Sequence, residues 1–452
     1  MNHFDPSKDD GGRPVDALVA ERLGIPYEEL TQDKLEEYQL EAFKRTLRYA
    51  KERSDFYAEL FKDADPDSLK SLKDIQALSC TLESDIAGNE WRFLCLPSSE
   101  VDRMVTVPTT GTGGKQKRIS YTWEDIQRSI EFIRAGYEVM NCKPGEKMLV
   151  LMSGTSSGSI GDMVLKAVEP LGMSIEVFGT VTDIEAAYER LMDLKPEVLE
   201  AIPWHAAALA SYGKRFGNPE KNFIRSVNLS ADVVPDSIAE RLERLWDCTV
   251  HRHYGSTEMC IFGGVECSAR EGYHLRPCDI LYEIPETDEE GRGEIVISTL
   301  DRKAMPLIRY RTGDIGKFTD KDCSCGGRLK RLLKVYGRKR DILHFGPYEV
   351  YMSDIADALY KSDEVVDFEA NLAPGNVLDI CVRYCRGGKP DMDGLRDDLM
   401  SVSGLYEALN SSLCTLVIIL EESKGFDSGY NLKKNLMRSS PLSEPNRPRL
   451  PK

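Results

Sequence analysis

The chain has 452 residues and a formal net charge of −16, enough material for two to four domains at the usual ~100–200 residues each. Hydrophobic residues make up 41% and charged residues 30%, as in a soluble globular protein, and the acidic balance argues against nucleic acid as a partner. No apolar run approaches the ~18 residues of a membrane span, so no membrane partner is expected, and twelve cysteines without a secretory signal read as reduced thiols in a cytoplasmic protein.

Residues 1–14 are polar and read as a disordered leader. Between 31 and 60, Leu35, Tyr38, Phe43, Leu47 and Ala50 recur at helical spacing among charges, which predicts one or two amphipathic helices. From Lys147 strand and helix patterns alternate. KMLVLMSG is followed by DMVLKAVEPLG, SIEVFG by DIEAAYERLMDLK, PEVLEAI by HAAALASYGKRF, and IRSVNLSA by PDSIAERLERLWD, with TVHRHYG closing the series. Such alternation predicts a parallel sheet with ligands at the carboxyl ends of its strands, where the polar turns 153–158, 230–232 and 255–258 fall. From Gly291 the pattern changes to short strands, GRGEIVISTL and MPLIRYRTG. After Gly337 come KRDILHF, YMSDIADALYK, VLDICVRYC and LCTLVIILEE, and then a proline-rich tail. The expected fold is therefore α/β: a large N-terminal α/β region over 15–336 with a parallel sheet, plus a small mobile α+β C-terminal domain over 337–438. Residues 439–452 read as disordered, and the C-terminal domain is expected to make few fixed contacts with the rest.

Four segments carry chemistry. Thr109, Thr110, Gly111, Thr112, Gly113, Gly114 and Lys115 form a glycine-rich loop whose N–H groups, hydroxyls and lysine suit a triphosphate. The glycine spacing is not that of a Walker A loop, and a plain flexible turn is the alternative. Tyr254, Gly255, Ser256, Thr257 and Glu258 follow a strand and offer an aromatic for a base, hydroxyls for a phosphate and a carboxylate for magnesium; a turn with a helix cap is the alternative. In YRTGD, Asp314 is placed to accept two hydrogen bonds from ribose hydroxyls. GRKRD contributes Arg338 and Arg340.

Together and in this order, TTGTGGK, YGSTE, YRTGD and GRKRD resemble the signature of acyl-adenylate-forming enzymes. RLGIPYEELTQDKLEEYQLEAFKRTLRYAKERSDFY and GRGEIVISTLDRKAMPLIRYRTGDIG resemble the phenylacetate–coenzyme A ligase and coenzyme F390 synthetase branch, from about Arg22 to about Asp341. The resemblance implies that ATP and a carboxylic acid react to an acyl-adenylate and pyrophosphate, with transfer to coenzyme A afterwards. It implies that the loop from Thr109 to Lys115 wraps the β- and γ-phosphates and that Ser230, Ala231 and Asp232 flank adenine. Tyr254 would stack on the base, Thr257 would contact the α-phosphate, Glu258 would hold magnesium, and Asp314 with Arg338 would bind ribose. Arg340 stands at the hinge of the C-terminal domain. The proline–threonine–glycine–lysine stretch of the family is absent, which leaves Lys433 and Lys434 as the nearest candidates for the catalytic lysine, with a solvated tail as the alternative. Ser153, Trp204 and His205 lie where the family builds its acid pocket. An aryl acid is one expected class, but SGTSSGSIGD lacks the aromatic residues of true phenylacetate enzymes. An adenylyltransferase without the thioester step and a non-catalytic nucleotide-binding homologue are the competing readings, and a homodimer is left open.

Cys323 and Cys325 in CSCGGR look like half a zinc knuckle, and Cys267 and His274 would complete a tetrahedral set. A similar arrangement occurs in part of the phenylacetate–coenzyme A ligase-like group. The expected site is closed and structural, with unliganded thiols as the alternative.

Overall fold

The computed structural model describes residues 13–108, 116–152, 154, 156–216, 223–423 and 436–438. The first helix, Arg13–Leu23, begins inside the stretch read as a leader. Pro14 does not prevent this, because the first turn of a helix has no intrahelical acceptor for its N–H groups. The rest of that stretch, 1–12, and the tail 439–452 lie outside the described residues. Helix Gln32–Arg53 starts at Thr31, whose side chain accepts from the Lys34 N–H. It buries Leu35, Phe43, Leu47 and Ala50 as the spacing predicts, and half-buries Tyr38. Helix Trp123–Val139 lies where no element is expected from the sequence. Its capping box is reciprocal: Thr122 accepts from the Asp125 N–H, and the Asp125 carboxylate accepts from the Thr122 N–H.

The strands are β1 (Arg103–Pro108), β2 (Gln116–Tyr121), β3 (Lys147–Leu151), β4 (Ser174–Val177), β5 (Val198–Ala201), β6 (Ser226–Leu229), β7 (Thr249–Tyr254), β8 (Gly264–Glu266), β9 (Tyr273–Leu275), β10 (Ile280–Glu283), β11 (Gly293–Thr299), β12 (Tyr310–Thr319) and β13 (Arg331–Arg338). β1 and β2 form a separate antiparallel hairpin. The others make one eleven-stranded sheet in the order β10-β11-β12-β13-β9-β8-β7-β6-β5-β3-β4. Its parallel part, from β7 to β4, is the predicted alternation, with every residue of β5 and β6 buried, as helix-covered parallel strands require. The expectation of a parallel sheet is incomplete, however. From β8 to β10 every pairing is antiparallel; apart from β9 with β13, these strands are consecutive and their short connections allow no crossover helix.

Beyond Gly337 the chain builds the hairpin β14 (Leu343–Phe345) and β15 (Tyr348–Val350), then β16 (Val365–Ala373), β17 (Val377–Tyr384), β18 (Thr415–Glu422) and β19 (Leu436–Arg438). The last four form a sheet in the order β18-β17-β16-β19. The expectation that this region makes few fixed contacts is not met. Arg241, on helix Asp236–Trp246 and only 1% exposed, donates to the carbonyls of Tyr360, Ser362 and Val365 at 2.5, 2.6 and 2.9 Å. The Tyr360 carbonyl is an orphan acceptor at the end of helix Met352–Tyr360, Ser362 lies in the turn that follows, and Val365 opens β16. Asp363 in turn accepts from Lys214 at 2.8 Å and Arg244 at 2.5 Å. Among the described residues no helix is long and apolar enough to cross a membrane.

Candidate functional site

Parallel strands deliver their following turns to one edge of the sheet, and a cleft of ≈ 900 Å³, open to solvent, lies there. It is lined by Trp204 after β5, Ala231 and Asp232 after β6, Tyr254 and Gly255 at the end of β7, Asp314 of β12, and Arg338 at the end of β13. Tyr351, Met352 and Tyr360 close it from the C-terminal side. Seven residues singled out from the sequence thus meet in one place. The Tyr254 hydroxyl donates to Asp314 Oδ2 at 3.0 Å, and Arg338 Nε lies 3.5 Å from Asp314 Oδ1. Gly255 is required by close approach: a Cβ there would sit 1.8 Å from the Ile261 carbonyl oxygen.

Glu258 follows in a single 3₁₀ turn, Thr257–Met259, and is buried. Its carboxylate is held by Lys117 of β2 in a charge-assisted hydrogen bond, and Tyr310 donates to the same oxygen at 3.1 Å. Lys117 also donates to Glu83 Oε1 at 2.9 Å and to the Tyr310 hydroxyl at 3.1 Å. Burial alone would raise the Glu258 carboxyl, but the Lys117 ammonium outweighs it and holds the group down at about 2. Lys117 is raised in turn: burial opposes its charge, and Glu258 with Glu83 restores it. The Thr257 carbonyl accepts from Tyr121, which ties this turn to the β1–β2 hairpin.

The other expected residues fall as follows. Ser230 does not line the cleft; its hydroxyl lies 2.7 Å from His253 Nδ1. His205 is buried in helix Pro203–Phe216, one residue beyond Trp204. Arg340 sits in the 3₁₀ turn Lys339–Asp341 after β13, with Nη1 4.0 Å from Glu83 Oε2. Thr109, Thr110, Gly111, Thr112, Gly113, Gly114 and Lys115 lie outside the described residues, as do Ser153, Lys433 and Lys434. The described residues on either side of the glycine-rich loop, Pro108 and Gln116, are paired across β1 and β2.

Away from the cleft, Cys267, His274, Cys323 and Cys325 bring one ligand atom each to within 4.8 Å of one another. Cys267 Sγ is 3.6 Å from Cys323 Sγ, and Cys325 Sγ is 3.4 Å from His274 Nε2. The sheet explains the meeting: β9 carries His274 and pairs with β13 at Arg331, while Cys323 and Cys325 lie in the loop that joins β12 to β13. Gly327 allows the close approach, since a Cβ there would meet His274 Cε1 at 2.5 Å. Tetrahedral zinc with Zn–S near 2.3 Å and Zn–N near 2.0 Å needs ligand separations of about 3.5–3.8 Å, so these four donors fit it with small adjustments. All twelve cysteines are free thiols.

Curated relatives share most of this chain. A phenylacetate–coenzyme A ligase of Thermus thermophilus is 30% identical over 354 residues, covering 75% of this chain and 78% of that protein. The chain belongs to the phenylacetate–coenzyme A ligase family. Another member, a phenylacetate–coenzyme A ligase of Pseudomonas putida, is 26% identical and covers 78% of this chain and 82% of its own. The fold extends to a 2-hydroxyisobutyryl-CoA ligase in its postadenylation state, with a TM-score of 0.75 at 18% identity over 97% of this chain and 94% of that one. No family model matches the chain.

For this family member, sequence reasoning missed Lys117. The only local signal is a lysine two residues beyond the glycine-rich loop, in the strand QKRISY. Its partners Glu83, Glu258 and Tyr310 are distant in sequence and become neighbours only where the β1–β2 hairpin packs against the turn after β7, the start of β12 and the short helix Glu83–Ile86.

Proposed function

We propose that the protein couples a carboxylic acid to coenzyme A through an acyl-adenylate. The acid carboxylate attacks the α-phosphorus of ATP, the bond to the bridging oxygen breaks, and pyrophosphate leaves. The coenzyme A thiol then attacks the acyl carbon, AMP leaves, and the thiol proton passes to solvent. The observation that carries this reading is the pairing of two clusters on one turn and one strand. Tyr254, Asp314 and Arg338 make a nucleoside end, and Glu258, Lys117 and Tyr310 make a charged end. Asp314 is the acceptor for the ribose hydroxyls, with Arg338 beside it, Tyr254 stacks on adenine, and Ala231 and Asp232 flank the base. Thr257 contacts the α-phosphate, and the loop from Thr109 to Lys115 wraps the other two phosphates. Donors fixed before the charge develops are the main means of stabilising such a transition state.

Glu258 is a suitable magnesium ligand because Lys117 keeps it ionised; bound there, the ion would supply neutralising charge to the triphosphate. Cys267, His274, Cys323 and Cys325 would hold a structural zinc, since four protein donors leave no open position for chemistry. Arg340 is the hinge residue, and Lys433 and Lys434 remain the candidates for the lysine that approaches the α-phosphate.

The test is pyrophosphate release over a panel of carboxylic acids, with and without coenzyme A. Acid-dependent release with thioester formation is expected. No acid-dependent release overturns the reading, and release without thioester replaces it with the adenylyltransferase alternative.

A further inference from the structure

A second, smaller cavity lies between helix Trp123–Val139 and the ends of β6, β7 and β8. Phe132, Ile133, Phe262 and Val265 make it largely apolar, and it spans ≈ 240 Å³ against ≈ 900 Å³ for the cleft. Three polar side chains interrupt that lining: Tyr137, whose hydroxyl is committed to Glu200 Oε2 at 3.0 Å, and Asn228 and His253, which are 4% and 5% exposed. His253 borders the nucleotide cleft as well, one residue before Tyr254.

Asn228 and His253 each have one committed atom and one uncommitted atom. Asn228 Nδ2 donates to Glu200 Oε2 at 2.7 Å, which fixes the amide, and Oδ1 has no partner among the described residues. His253 Nδ1 is 2.7 Å from the Ser230 hydroxyl, its ring packs on Phe262 with centroids 4.3 Å apart, and Nε2 likewise has no partner. Burial holds the imidazole down at about 3, so the ring is neutral at physiological pH and one nitrogen carries the proton. When Ser230 donates to Nδ1, that proton is on Nε2. The residues that line the cavity then carry one unpaired acceptor, Asn228 Oδ1, and one unpaired donor, His253 Nε2–H, among largely apolar neighbours. Leaving both unpaired is unfavourable.

We propose that the acid activated here carries a hydroxyl that enters this cavity, donating to Asn228 and accepting from His253, which makes both residues specificity-determining. The proposal rests on the reading of the cleft as an acid-activating site. A hydroxyl is the small neutral group that donates and accepts at once. A methyl of similar size leaves both partners unpaired, and a second carboxylate finds no cation in the lining. Rejection of the analogue lacking the group follows from the unpaired polar atoms it leaves behind.

The experiment measures pyrophosphate release by the full chain, with ATP and magnesium, for matched acids: hydroxyphenylacetates and hydroxybutyrates against phenylacetate and butyrate. At least one hydroxy acid is expected to exceed its parent in kcat/KM by roughly 10- to 100-fold. His253→Leu should collapse that ratio toward one by improving the parent acid relative to the hydroxy acid. A uniform loss for every acid in His253→Leu would mark a purely structural role and overturn the proposal. If His253→Leu does not fold, Ser230→Ala, which removes the hydroxyl that sets the tautomer, should lower the same ratio, and an unchanged ratio overturns the proposal. Wild-type protein that uses parent acids as well as hydroxy acids, the outcome if the cavity holds only a water, also overturns it while leaving acid activation intact. Absence of release with any acid removes the acid-activation reading and this one with it.

Discussion

Lys117 is the residue whose removal is most informative. Its ammonium is 5% exposed and meets a Glu258 carboxylate that is 8% exposed. A carboxyl held at about 2, against an ordinary value of 4.5, contributes about 3 kcal/mol at neutral pH. Because the folded value is depressed, that contribution is fully present above pH 4.5 and is lost as the pH falls through about 2. Lys117→Met leaves a buried carboxylate without its cation, which costs about 3–5 kcal/mol at pH 7. Burial then pushes Glu258 above its ordinary value, so the deficit should shrink as the pH is lowered from 7 toward 5. Glu83 is 38% exposed, so its loss of Lys117 adds no more than about 1 kcal/mol. In Lys117→Met/Glu258→Gln no charge is left buried, and the double variant should be less destabilised than the sum of the singles by about 3 kcal/mol. Urea unfolding of the four proteins at pH 7 and pH 5 measures this coupling. A coupling below about 0.5 kcal/mol, or a Lys117→Met deficit that does not change with pH, would show that the two groups do not form a buried ion pair.

Three further outcomes are expected. Asp314→Ala removes the acceptor assigned to both ribose hydroxyls and should raise the KM for ATP roughly 100-fold, at about 1.5 kcal/mol for each of two hydrogen bonds; an unchanged KM refutes the assignment. Protein purified without added metal should contain close to one zinc per chain, and Cys325→Ser or chelation should lower the melting temperature before the turnover rate; a metal-free protein of unchanged stability removes the site. Glu200 is fully buried and pushed up to about 8 by burial, against hydrogen bonds from Asn228 and Tyr137. Its folded value is raised, so stability should fall as the pH rises from about 4.5 to about 8, and Glu200→Gln should flatten that slope in unfolding titrations; an equal slope in the variant counts against a buried neutral Glu200.

The sequence by itself determined the parallel half of the sheet and singled out seven of the residues that line the cleft. The first is legible because period and turn chemistry are local: strands such as KMLVL and helices such as IEAAYERLMDL carry their pattern within a few turns. The second is legible where a turn follows β5, β6 or β7, because parallel strands bring their following turns to one edge, whereas Asp314 and Arg338 reach the cleft from within the antiparallel strands β12 and β13. Local signal is too weak for β8 and β9, three residues each, and helix Trp123–Val139 was missed although Thr122 and Asp125 spell a capping box. What only the tertiary structure decided is partnership across the chain. Lys117 meets Glu258 at a separation of 141 residues, Cys267 meets Cys323 at 56, and Arg241 caps a helix 119 residues away. Such pairs depend on which elements pack side by side. That packing is set by burying the whole core at once, so no window of sequence contains it.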